Sequence, residues 1–292
     1  IGSGLVGSEM CIRDSSMADY RIGFKWWALI IAVVFVISEL VCVACVPERP
    51  VACDEKPGKI SDMFKALFKN DQAMTVVVSI ILVYTSLNIC GNLVLYFFRF
   101  DVGNEGAYSI FAAVAFAAQV LVMMVIPLLR KRFSKSQLFI SGFIIQIAGF
   151  AVILIMAFAK LYTPQSWYIL CLPGILIYLG YGMLNVIMTI FLSDSVDYGE
   201  VMNGTREESV IFSMQTFTVK LASGVAVFLA GLVVDCIHLD TAAAVQTQDT
   251  LDALRMWMTI PSVILLIVGI FVFKRFYKLD DTRMEEIKSK LN

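Results

Sequence analysis

Lys220 lies near the middle of a hydrophobic stretch, Val210–Val234. On insertion scales a lysine at the centre of a membrane helix costs about 2.5–3.5 kcal/mol, so one kept there marks a functional site by default. It stands ten residues in from Val210. At about 1.5 Å per residue this is a depth of about 15 Å, half of a hydrocarbon core about 30 Å thick. From that depth its stem is too short to carry the charge to either interface. Ser213, Thr216, Lys220 and Ser223 recur at i, i+3, i+7 and i+10 and make one polar stripe, with Gln215 beside it. Directly before the stretch, Ser193–Ser209 gathers Asp194, Asp197, Glu200 and Arg206. Asp194-x-x-Asp197 with Glu200 could hold Mg²⁺ through hard oxygen ligands. The chain would then be a membrane-embedded metal-dependent transferase acting on a phosphoryl or prenyl group.

Placing such residues takes spanning helices. Of 292 residues, 59% are hydrophobic and only 16% charged, and the mean hydropathy is +0.80. A soluble domain of this length carries a more polar surface. Seven apolar segments can be drawn: Trp26–Val46, Ala73–Phe98, Ala107–Leu129, Leu138–Ala159, Trp167–Leu192, Val210–Val234 and Trp257–Phe276. Each is long enough to cross a bilayer. The expected fold is an all-α membrane protein with the lipid bilayer as its surroundings. A formal net charge of −1 and the lack of a nucleic-acid motif argue against a nucleic-acid partner. Cys42-x-x-Cys45 has half the spacing of a zinc site but no second pair, and the single histidine, His238, falls in a loop. No metal site and no cofactor is expected.

Within the segments, Ala222, Ala226 and Ala230 form a small-xxx-small row suited to close helix packing. Thr205-Arg-Glu-Glu208 reads as a capping box that opens the sixth helix. Thr85, Asn88, Asn92 and Tyr96 align on the second segment, and Tyr178, Tyr181, Asn185 and Thr189 on the fifth, while Gln119 and Gln146 stand alone. Singly, each could bond a neighbouring helix. Together they offer the amides, hydroxyls and aromatic faces that a sugar needs. Segments two to seven carry no mid-span acid; Glu39 in the first is the one mid-segment carboxylate.

Arg130, Lys131, Arg132 and Lys135 follow the third segment, and Lys274, Arg275 and Lys278 follow the seventh, whereas Asp235–Asp252 holds four aspartates and no base. By the positive-inside rule the basic loop, Asp194–Glu208 and the C-terminus are expected in the cytoplasm. Arg21 and Lys25 weigh mildly the other way. Between the first two segments, Pro47, Pro50, Pro57 and Gly58 precede an amphipathic stretch with Met63, Phe64, Leu67 and Phe68 on one face.

Asp194, Val196, Asp197, Tyr198, Gly199, Glu200, Arg206, Glu208, Ser213 and Lys220 fall in register with the signature of one family. Over Tyr20–Asn292 the chain resembles the glycoside–pentoside–hexuronide:cation symporters, most strongly there. The resemblance implies the major facilitator fold, with this chain supplying helices six to twelve of twelve. It further implies a sodium:galactoside-type symporter in the cell inner membrane, multi-pass, moving a small-molecule sugar with Na⁺ or H⁺ by alternating access. On that reading Gln215, Thr216, Lys220 and Asn185 bind substrate and Lys220 couples sugar and cation. Asp194, Asp197, Glu200 and Arg206 form a cytoplasmic gate, and the cation carboxylates belong to a missing N-terminal bundle. Two positions depart from the pattern. Asn185 stands where the family pattern has a tryptophan near the sugar, and Phe212 where a tyrosine precedes Ser213.

The expected division is a non-native scar over 1–16, the last helix of an N-terminal bundle over 17–47, a cytoplasmic linker with an amphipathic helix over 48–72, a six-helix bundle over 73–278 and a cytoplasmic tail over 279–292. The leading reading is a fragment of a secondary transporter, not an enzyme. A non-transporting sugar sensor on the same fold is the remaining alternative.

Overall fold

A computed structural model describes residues 20–45, 68–204, 208–241, 243, 245–279 and 281–291. The expected scar, the proline-rich linker, most of the amphipathic stretch, Arg206 and the first three residues of the capping box lie outside these residues. The chain divides into two units, 1–58 and 59–292. The first unit contains α1, Tyr20–Cys45, with Glu39 exposed on it.

The second unit holds α2 (Asp71–Tyr96), α3 (Ala107–Leu129), α4 (Lys135–Phe158), α5 (Cys171–Asn203), α6 (Glu208–Cys236), α7 (Gln248–Phe276) and a short α8 (Asp281–Leu291). With α1, seven helices among the described residues are long and apolar enough to cross a membrane. α2 is central and packs on α5, α6 and α7; α3 and α4 pack on α5, and α4 also on α7. α6 leans mainly on α2, so much of its circumference is open.

Small residues set the tightest approaches. A Cβ on Gly180 of α5 would stand 2.6 Å from Gln146 N and from Gly142 O of α4, so only glycine fits that crossing. Ser86 and Ser262 join α2 to α7 reciprocally: each hydroxyl donates to the other's carbonyl, at 3.0 and 2.8 Å. Apolar burial gives little net drive between helices in lipid, so such close packing and interhelical hydrogen bonds take over. At the end that carries the basic loop, Phe139, Phe191, Phe273 and Tyr277 form a continuous aromatic layer, with Phe139–Phe273 at 4.4 Å and Phe191–Tyr277 at 4.5 Å between centroids.

Two boundaries differ most from the hydropathy reading. Asp194–Glu208 was expected as a loop, yet α5 continues through Asn203 and stops at Gly204, which is left-handed at φ +73° and donates its N–H to Glu200 O. Hydropathy falls at Ser193 while the helix does not, because Asp194 and Ser195 are themselves buried. α7 starts at Gln248, nine residues before Trp257. Its cap is Thr247, whose hydroxyl accepts the Thr250 N–H, and the polar first turns hide the helix from a hydropathy reading. α3 begins and ends where expected.

Candidate functional site

α6 has three distinct faces. Ile211, Thr218, Ala222, Ala226, Ala230 and Val233 are buried, so the small-residue row packs inward as expected. Phe217, Leu221, Val225, Phe228 and Leu232 are exposed and large, a surface made for lipid. On the third face Lys220, Gly224, Val227 and Gly231 follow one another at i, i+4, i+7 and i+11, and all are exposed. A Cβ on either glycine would meet nothing within 4 Å. Ser213 and Thr216 extend this face toward the start of the helix, also exposed.

Lys220 is the thirteenth of 29 residues in α6, near its middle. It points away from the packed side, and among the described residues it makes no ion pair or hydrogen bond. Thr216 turns its hydroxyl back to Phe212 O at 3.3 Å. Gln215 points instead to α5, donating to Thr189 Oγ1 at 3.3 Å. One turn earlier on α5, Asn185 Nδ2 donates to Tyr84 Oη of α2 at 2.5 Å. Tyr181 meets Tyr84 edge to face, 5.5 Å between centroids, and Tyr178 meets Tyr181 at 6.4 Å. Gln215 and Asn185 therefore join one polar seam across α2, α5 and α6. Thr216 and Lys220 lie on the neighbouring open face of α6.

The polar row on α2 is less open than its spacing implied. Asn88 and Asn92 donate to Tyr84 O and Asn88 O of their own helix, both at 2.7 Å. Tyr84, outside that predicted row, makes the interhelical contact. Its signal was present in sequence: it lies four residues before Asn88, on the same helical face.

At the basic-loop end Asp194 is buried and bonded to Lys135 Nζ at 2.5 Å, the side chains 8% and 7% exposed. Lys135 also lies 3.4 Å from Asp281 of α8, and Arg130 lies 3.5 Å from the same carboxylate. Burial pushes the Asp281 carboxyl up, but Lys135 and Arg130 outweigh it and hold the group below its ordinary value. Burial, reinforced by Asp194 and Asp281, pushes the nearby Tyr277 phenol up. Asn70 ties this end of α2 to α5, donating to Ser195 O at 2.8 Å while its Oδ1 caps Ala73 N. Asp197 and Glu200 are half-buried on the same extension of α5. Lys135 was legible only as one more base in the loop. Its placement follows from Ser134, which caps α4 reciprocally with Gln137 and puts Lys135 in the first turn.

The metal-dependent alternative does not fit this geometry. Lys135 already occupies the Asp194 carboxylate, and among the described residues no group of three metal-ligating side chains converges.

A second charge network closes the opposite end. Arg255 of α7 grips Asp101 with Nε at 2.8 Å and a terminal nitrogen at 2.5 Å, and reaches Asp252 at 2.6 Å. Tyr162 donates to the same Asp101 at 2.6 Å. Burial first, and then Asp101, push the Tyr162 phenol up. Arg255 and Asp101 side chains are 3% and 4% exposed, so this is a structural clasp between α7 and the π-helical turn Phe97–Asp101 that follows α2.

The sequence family described as MFS/sugar transport protein matches residues 4–281. The chain is 25% identical over 254 residues to an uncharacterized symporter of Bacillus subtilis, covering 86% of this chain and 54% of that protein. It is 24% identical over 305 residues to the raffinose carrier protein of Pediococcus pentosaceus, covering 100% of this chain and 46% of the carrier. It is 26% identical over 262 residues to the isoprimeverose transporter of Lactiplantibacillus pentosus, covering 88% and 52%. The chain thus spans about half the length of these relatives. They are transporters, not enzymes, and the polar seam between apolar helices is what such a protein needs. With the family match running almost end to end, the chain belongs to the MFS/sugar transport proteins.

Proposed function

We propose that these helices form part of a secondary active transporter that takes up a glycoside together with Na⁺ or H⁺ by alternating access. Lys220 carries the reading. It is a mid-helix cation on an open, small-residue face, turned from both the core and the lipid-facing side chains. A charge so placed is tolerable only beside water, substrate or a countercharge. The seam of Asn185, Thr189 and Gln215 supplies hydroxyl-matching groups in the same bundle. Relatives named for raffinose and isoprimeverose support a glycoside as the substrate class.

Lys220 links sugar and cation on this reading, and the countercharges lie on a further bundle facing α6. The acids of the α5 extension, with Arg206, work as a gate at the basic-loop end, which faces the cytoplasm. The test is cation-driven accumulation of labelled raffinose, isoprimeverose and lactose by the complete transporter that carries this chain. Lys220→Ala is expected to abolish accumulation. Full accumulation in that variant refutes the coupling role, and binding without uptake by the unmutated protein favours a sugar sensor.

A further inference from the structure

From the α2–α5 seam we infer that Tyr84 is the positioning residue of a sugar-ring subsite: it fixes the Asn185 amide so that its carbonyl oxygen is left to accept a substrate hydroxyl. This rests on the sugar-transport reading and adds a residue and a hydrogen-bond polarity to it. Asn185 commits Nδ2 to the Tyr84 phenol at 2.5 Å. Tyr181 packs edge to face on Tyr84, 5.5 Å between ring centroids. With the amide nitrogen donating to the Tyr84 phenol, the carbonyl oxygen is the end of the amide left over for a ligand. Among the described residues no donor satisfies Asn185 Oδ1. Asn185 is only partly buried, so that acceptor is reachable.

The walls around the acceptor suit a pyranose. Tyr84 and Tyr178 are partly exposed rings beside the buried Tyr181, a flat apolar surface for the C–H face of a sugar. On α2, Gly91 lies seven residues beyond Tyr84, and a Cβ there would meet nothing within 4 Å, which leaves room along the same face. Asn88 and Thr189 each lie one helical turn beyond Tyr84 and Asn185 and add neutral polar groups to the same face. Such a site discriminates sharply, because a ligand lacking the hydroxyl leaves a polar group unpaired.

The test uses the whole chain in lipid nanodiscs with p-nitrophenyl glycosides and their monodeoxy analogues as probes. Tyr84→Phe is expected to weaken glycoside binding about tenfold at unchanged melting temperature. The loss should vanish for the one deoxy analogue that lacks the matched hydroxyl. In an Asn185→Ala background Tyr84→Phe should do nothing further, since the two act as a unit. Equal binding by Tyr84→Phe and the unmutated chain, or strictly additive losses, overturns the inference. If the unmutated chain alone binds no glycoside, the transport reading still stands or falls on the uptake test. The positioning role is then read from the ¹⁵N-labelled Asn185 side-chain amide. Its hydrogen exchange should be slow in the unmutated chain and faster in Tyr84→Phe; unchanged exchange overturns the role.

Discussion

Lys135 and Asp194 form the most consequential residue pair outside the seam. Both side chains are under a tenth exposed, so each neutralises a charge that could not stand alone. Breaking a buried pair by removing one partner costs about 3–5 kcal/mol, whereas replacing both with apolar groups can be neutral. Lys135→Met and Asp194→Leu should each destabilise the chain strongly in detergent unfolding, and the double variant should recover most of the loss. The neighbouring Asp281 gives the pair a pH signature. Its folded pKa lies below its unfolded value, so its stabilising contribution is present above about pH 4 and is lost as pH falls through the lowered value. The protection of α8 amides, exchange measured relative to the intrinsic rate at each pH, should therefore fall in acid, and Asp281→Asn should show no such fall. Lys220 was readable from sequence because its argument is depth and period. The partner of Asp194 was not, because it lies 59 residues away and no local pattern points to it.

Among the elements, α5 departs most from its sequence reading. Its polar extension is helical to Asn203, and Gly204 ends it at φ +73°. Any L-residue there pays for a left-handed backbone, about 1–2 kcal/mol. Gly204→Ala should lower the unfolding free energy by about that amount, and Gly204→Asn by less. Gly180→Ala is expected to cost about 1–3 kcal/mol by overpacking, because its Cβ would strike backbone atoms 2.6 Å away. Circular dichroism against denaturant in detergent checks both. α4 and α7 were legible by hydropathy alone except in their first turns. There Ser134 and Thr247 act as caps that only the observed hydrogen bonds reveal.

For the whole molecule, the open face of α6 sets the expectations. Gly224→Ala meets no atom within 4 Å and removes a flexible residue from a helix. In this chain it should be neutral or gain about 0.5–1 kcal/mol. If, as proposed, the chain is part of a sugar transporter in which a further bundle closes onto α6, the same change should slow sugar uptake; unchanged uptake would refute closure on this face. Orientation is testable separately. A cysteine at Lys131 should react with a membrane-impermeant thiol reagent only from the cytoplasmic side, and one at Thr241 only from outside, as the charge bias of the loops predicts.

The sequence by itself determined the number of spanning helices, the inward small-residue row of α6 and the outward stripe that carries Lys220. Each is a matter of composition and helical period within one segment, so no partner has to be known. Only the tertiary structure decided that Lys135 neutralises Asp194, that Arg255 clasps Asp101 and that Tyr84 holds Asn185. Those bonds join residues 59, 154 and 101 positions apart. Their existence depends on how helices cross and how far side chains rise from them, which close contacts such as Gly180 against Gly142 and Gln146 fix.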